Sequence, residues 1–328
     1  MCEHCHDIEV NSVSGDRYDP TRTTTLRNAF VREMNAKFDS LVKLVKMVVG
    51  EQNVFGIGVQ VNVETPGRNA YVFMTDPQKI EAFEIWLHQQ VENTILSTGT
   101  GKMVGDDVLS SWTNRFIYES YRRGVLRAMI EMKKAGYDVP SVEQLGGVEM
   151  LLVTPHTMEK LGVLYTRMFS ELKGVTASME QVISRVLTQG LLQGENPRRL
   201  ASKLVAAING AGVGDLGLTD TLGRFIPAKR RAEIIARTEM IRAHHIANIE
   251  TYRSWDVHGV NIKAEFSSAR DNRVCPKCLE IEGQMEDGKK KLYTLDEIEW
   301  MIPVHPQCRC IAIPVVVDST GKRKTYNF

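Results

Sequence analysis

Four of the six cysteines in this chain, together with one histidine, stand in two short knuckles: Cys275-Pro276-Lys277-Cys278 and His305-Pro306-Gln307-Cys308-Arg309-Cys310. No other feature restricts the fold as much, because chelation of one ion would force two segments separated by residues 279–304 to meet. A C-x-x-C turn aims two thiolates at one point, and an H-x-x-C turn supplies a second pair, which fits the tetrahedral preference of Zn²⁺. Pro276 and Pro306 stiffen the knuckles, so less chain entropy is lost when metal binds. The clip offers five donors for four places. Cys275, Cys278 and His305 are the firmest. Cys308 completes the knuckle, whereas Cys310 lies two residues further on, before the strand-like run Ile311 to Val317, and residues two apart on a strand share a face. Both thiols therefore stand as candidates for the fourth ligand. There is no H-E-x-x-H pair, and nothing nearby suggests the open coordination position of a hydrolytic zinc, so the metal reads as structural.

The remaining cysteines, Cys2 and Cys5, form a C-x-x-C flanked by His4 and His6. They are either a weak second metal half-site, completed by another segment or subunit, or part of a loose terminus that holds no metal.

A chain of 328 residues exceeds one ordinary core, so two or three packed regions are expected. Hydrophobic content of 43% and charged content of 25% are those of a globular protein. The net charge of +1 provides no global field to gather nucleic acid, although Lys289-Lys290-Lys291 and Lys322-Arg323-Lys324 are local basic runs. No apolar run approaches the roughly 20 residues that span a bilayer. The polar start lacks the apolar core of a secretory signal. With metal-type cysteine spacing, these features predict a reducing intracellular setting and no membrane association.

Helical periodicity dominates the pattern. Asp19-Pro20-Thr21 offers cap chemistry ahead of Leu26, Phe30, Met34, Phe38, Leu41, Val45 and Val48, and Gly50 is expected to end that helix. Phe55 to Val63 alternates like a strand, and with Tyr71 to Met74 predicts a small hairpin near 55–74. Further helices are expected from Asp76 to about Leu96, from Asp107 to Lys134, near 156–172, 178–192 and 197–209, and from the basic cluster Lys229-Arg230-Arg231 to about Tyr252. Gly-rich stretches at 97–107 and 209–217 read as a loop and a hinge. In the last long helix Glu239 should pair with Arg242, while Arg237, Glu239 and His245 can be imagined as a catalytic group. A polar face packed on the metal module is the simpler reading. No nucleophile–base pair, cofactor loop or open metal position is visible, so no catalytic residue is assigned and no enzymatic activity is expected.

The order of these elements carries a resemblance. Ala236-Arg237-Thr238-Glu239 on a helix is followed by a strand with Phe266-Ser267-Ser268, then Asp271, Val274, Cys275 and Cys278, and finally His305-Pro306-Gln307-Cys308-Arg309-Cys310. This resembles the tailed-bacteriophage head morphogenesis domain of the Mu F-like minor head (minor capsid) proteins over about residues 180–317, with Phe266 standing where relatives often have Trp. The resemblance implies a minor head protein of the virion, inside the capsid near the portal, that acts in procapsid assembly and in DNA packaging or delivery. Its partners would be the portal protein, the major capsid or scaffolding protein, and phage DNA, with assembly taking place in the host cytoplasm. The fold class expected is mainly α with small β elements (α+β): a flexible N-terminus at 1–18, an elongated helical arm at 19–176, a compact zinc-stapled domain at 177–317 and a basic tail at 318–328. A nucleic-acid-binding zinc module is the alternative function, and a toxin-type enzyme a more remote one.

Overall fold

A computed structural model describes residues 19–57, 75–98, 110–209 except 138 and 143, 226–256, and 261–324 except 270, and the structural statements that follow concern those residues. Cys2, Cys5, nearly all of the expected hairpin at 55–74, most of the loop at 97–107 and all but the first residue of the hinge at 209–217 lie outside them. The fold is mainly α with small antiparallel strand pairs, as expected. Helices α1 (Thr24–Val45), α2 (Asp76–Thr94), α3 (Asn114–Lys134), α4 (Val148–Leu152), α5 (Pro155–Leu192), α6 (Pro197–Asn209) and α7 (Ala228–Asp256) precede strand β1 (Ile262–Ser267). Then come α8 (Pro276–Glu282), the short strands β2 (Met285–Glu286) and β3 (Lys289–Lys290), α9 (Leu295–Met301) and β4 (Ile311–Val316). Two compact units divide the chain, and several long helices run through both.

The first unit takes in Met1–Phe30, Thr113–Arg167 and Ile235–Phe328. Its entry helix is capped more fully than a single N-cap requires. The Asp19 carboxylate accepts from the backbone N–H of Thr21, Thr23 and Thr24, and from the guanidinium of Arg27 at 3.0 Å. Burial would raise the pKa of Asp19, but Arg27 and the hydroxyls of Thr21 and Thr24 hold it well below the usual carboxylate range. Phe30 stacks on Phe116 of α3 at 4.4 Å between centroids.

Helix α3 buries a stripe that includes Phe116, Ile117, Ser120, Tyr121, Gly124, Val125 and Ala128, the spacing of one helix face. Helix α7 is apolar on more than one side between Ala236 and Tyr252, as a central helix should be. Their backbones come close at Gly124, where an added Cβ would lie 2.4 Å from the carbonyl oxygen of His244 and 2.6 Å from the Cβ of Ala247. One turn away, the Ser120 hydroxyl donates to the Met240 carbonyl at 2.7 Å.

Strands β1 and β4 pair antiparallel with Ile262 opposite Val316 and Ser267 opposite Ile311, so both knuckles are delivered to the same end of one ladder. Ala264 also exchanges two backbone hydrogen bonds with Tyr293, each 2.9 Å.

The second unit takes in Val31–Trp112 and Met168–Ile234. Its core is made by Met34, Phe38 and Leu41 of α1, Phe83, Leu87 and Val91 of α2, Leu172, Ile183 and Leu187 of α5, and Leu200 and Leu204 of α6. Each such side chain contributes about 1.5–3 kcal/mol of burial free energy. Gly50 does not stop the first helix. The chain continues as a π-helical turn, Lys46–Glu51, in which an added Cβ at Gly50 would meet that of Ala201 in α6 at 3.0 Å.

Two other expectations shift. The helix expected from Asp107 begins at Asn114, and the helices expected near 156–172 and 178–192 are one continuous α5. The span 279–304 between the knuckles holds the end of α8, a hairpin and α9. Thr294 starts α9 with a capping box, accepting from Glu297 N–H at 3.2 Å while the Glu297 carboxylate accepts from Thr294 N–H at 2.8 Å.

Candidate metal centre

The two knuckles meet. Their donor atoms form two triads, Cys275/Cys278/His305 and Cys278/Cys308/Cys310, within each of which all atoms lie inside 4.8 Å of one another. Cys278 belongs to both. A tetrahedral zinc with Zn–S bonds of about 2.3 Å spaces its sulfurs about 3.8 Å apart, a separation within the 4.8 Å limit of each triad. The four described cysteines are free thiols and are buried, and His305 is half-buried.

Local structure explains how each donor is aimed. Cys275 is the N-cap of α8, where its sulfur accepts from Cys278 N–H at 3.4 Å and Pro276 occupies the first turn. The second knuckle is closed by Cys308 N–H donating to the His305 carbonyl at 3.1 Å. Gln307 between them has a φ of 61°, a left-handed conformation, and its N–H donates to Thr238 Oγ1 of α7 at 3.0 Å. The His305 ring has one nitrogen already committed: Nδ1 lies 2.7 Å from the Pro306 carbonyl, which can only accept. Nδ1 therefore carries the proton, and Nε2, 3.3 Å from the Cys278 sulfur, presents the lone pair that a metal needs. Hydrogen bonds from Cys278 and Cys310 push the Cys308 thiol well below its usual range, and the same contacts raise Cys278. One of the clustered sulfurs thus takes up negative charge ahead of the others.

Around the donors lies a set of brackets. Arg309, in the second knuckle, grips Asp271, just ahead of the first. Asp271 also accepts from Arg273 N–H at 3.0 Å. Burial opposes ionisation of Asp271, but the Arg309 bonds outweigh it and hold its pKa down to about 2. Ser268 donates through both N–H and hydroxyl to Glu282 at the end of α8. His245 of α7 donates from Nε2 to the Ile298 carbonyl of α9 at 3.0 Å, and Arg253 bonds Asp296 and Glu299 on the same helix.

The residues imagined as a catalytic group have separate engagements. Glu239 is buried and accepts from Arg167 at 2.9 Å and from Arg242 at 3.4 Å, the second being the pair its spacing predicts. Arg237 donates to Asn28 at 3.2 Å. The basic runs are also engaged in part: Lys290 bonds Glu282 at 2.8 Å, Lys291 lies over the Tyr293 ring at 4.9 Å, and Arg323 pairs with Glu265. A feature that sequence reasoning missed is a cavity of about 70 Å³ against the cysteines, whose wall includes Arg27, Arg237, Arg273 and Arg309. Arg27 carries no motif tying it to residues 275–310, so nothing in the sequence announces it.

Among the described residues no helix is long and apolar enough to cross a membrane. Residues 181–313 match the sequence model of the family described as Phage Mu protein F like protein, and all five clustered donors fall inside that span. No curated protein and no solved structure matches the chain.

Proposed function

We propose that this chain is a phage head-morphogenesis protein of the minor capsid class, since residues 181–313 match the sequence model of the family described as Phage Mu protein F like protein. Its place would be inside the capsid near the portal, in contact with the portal and the major capsid or scaffolding protein, with a part in procapsid assembly and in packaging or delivery of DNA. The observation that carries this reading is the family match coinciding with a metal-competent Cys/His cluster.

The metal proposed is zinc, held by Cys275, Cys278, His305 and one of Cys308 and Cys310. Its task is to staple two knuckles whose enclosed segment has only short helices and two-residue strands. A structural zinc contributes its binding free energy, about 10–16 kcal/mol in small zinc modules, directly to folding. The role proposed is assembly and not catalysis. Glu239 accepts from Arg167 and Arg242, and His245 donates from Nε2 to the Ile298 carbonyl, so both are held by packing partners.

Co-expression with a tailed-phage portal protein is the test. The chain is expected to co-purify with portal and with procapsids and to carry one zinc. A zinc-loaded, folded chain that ignores both portal and procapsid would remove the assembly role.

A further inference from the structure

The cavity beside the cysteines, lined also by Cys275, Cys278, His305 and Cys310, brings several guanidinium groups together. Arg27, Arg273 and Arg309 all line it, and among the described residues two carboxylates bond these three, Asp19 on Arg27 and Asp271 shared by Arg273 and Arg309. Arg237 forms a further part of the wall. Arg27 is 5% exposed, and its Nε has no hydrogen-bond partner among the described residues. Burial works against its charge, and the neighbouring Arg309 and Arg273 add to that, with Asp19 opposing. Buried cations set against one another are costly unless an anion sits among them. Planar guanidinium forks match the oxygens of phosphate, and about 70 Å³ gives room for a few waters or one small oxyanion.

We propose that this cavity binds one phosphate-type oxyanion, taken between Arg27 and Arg273 with Arg237 and Arg309 behind, next to the metal centre. The site stands apart from the head-assembly reading and does not need it. The anion is either a free phosphate or a phosphate of a nucleic-acid strand, and the two sources differ in how a strand competes.

The experiment is titration calorimetry on the full, zinc-loaded chain with inorganic phosphate, followed by a short single-stranded oligonucleotide. One phosphate per chain is expected. Arg273→Gln, at a half-exposed position, should weaken binding by about tenfold, the value of one charge-assisted bond, while zinc content stays unchanged. An oligonucleotide that displaces phosphate at lower concentration identifies the strand as the source. One that leaves phosphate in place identifies the free ion, and either result supports the site. Absence of saturable phosphate binding by the unaltered chain overturns the proposal, as does equal affinity in zinc-loaded Arg273→Gln. The arginines would then serve only to balance the thiolates.

Discussion

Arg309 holds Asp271 with both terminal nitrogens, at 2.6 and 2.7 Å, and so ties the second cysteine knuckle to the residues just ahead of the first. The pair has side-chain exposures of 14% and 6%, so it is shielded from the screening that weakens surface ion pairs. Asp271→Asn preserves the shape and removes the charge, leaving Arg309 without its counter-ion. The expected loss is about 3 kcal/mol of stability, read from urea unfolding of the zinc-loaded protein. Because the folded pKa of Asp271 is lowered to about 2, its contribution is complete above the ordinary carboxylate range and fades as pH falls toward 2.

Cys278 is shared by both donor triads, so Cys278→Ser should abolish stoichiometric zinc and unfold the segment from β1 to β4. The closed turn from Cys308 N–H to the His305 carbonyl favours Cys308 as the fourth ligand, so Cys308→Ser is expected to lose zinc and Cys310→Ser to retain it. Elemental analysis of the three purified variants, with circular dichroism before and after chelator, measures both effects. Equal retention of metal in Cys278→Ser would sink the assignment of the centre.

Gly124 is irreplaceable for a steric reason. A Cβ there would sit 2.4 Å from a main-chain oxygen of α7, which cannot swing away as a side chain could. Gly124→Ala should therefore destabilise by about 1–3 kcal/mol, despite the better helix propensity of Ala. Gly174 in α5 provides the contrast, since no atom lies within 4 Å of its notional Cβ. Gly174→Ala is expected to stabilise by about 0.5–1 kcal/mol. Thermal unfolding of the two variants should move in opposite directions.

His244 is buried and held neutral, its pKa lowered to about 3 by burial first and then by the charges of Arg127 and His245. The unfolded chain protonates near pH 6.5, so stability from this group is full above that value and is lost as pH falls through the folded pKa. Between pH 7 and pH 5 the loss should reach about 2 kcal/mol. Urea midpoints at the two pH values, compared with those of His244→Gln, isolate the effect, because any loss of metal is common to both chains. An equal drop in the two would refute it.

The meeting of the two Cys/His knuckles could be read directly, because the spacing of such residue types points to one cluster whatever the rest of the chain does. The long helices were also legible, since each buries a stripe with helical period, as α3 does from Phe116 to Met132. Helix α9 was not found even though its Thr294-to-Glu297 capping box is present, because seven residues are too few to show a period. The gap expected between 172 and 178 does not occur, because the one exposed glycine there, Gly174, costs only about 1 kcal/mol, and the core residues Leu172, Val175 and Met179 carry the helix across it. The arginine wall was hidden for another reason. Its members, from Arg27 to Arg309, are brought together only by tertiary packing, which leaves no local pattern.

Arg27 sits on the first turns of α1, and α3, which receives α7 at Gly124, is also remote in sequence from the clip. Residues 181–313, cut out alone, would keep the four clustered sulfurs and the His305 imidazole but lose Arg27 from the arginine-lined recess and the helix α3 that packs on α7. The stretch that matches the family therefore stops short of the packing that encloses its own cysteine cluster.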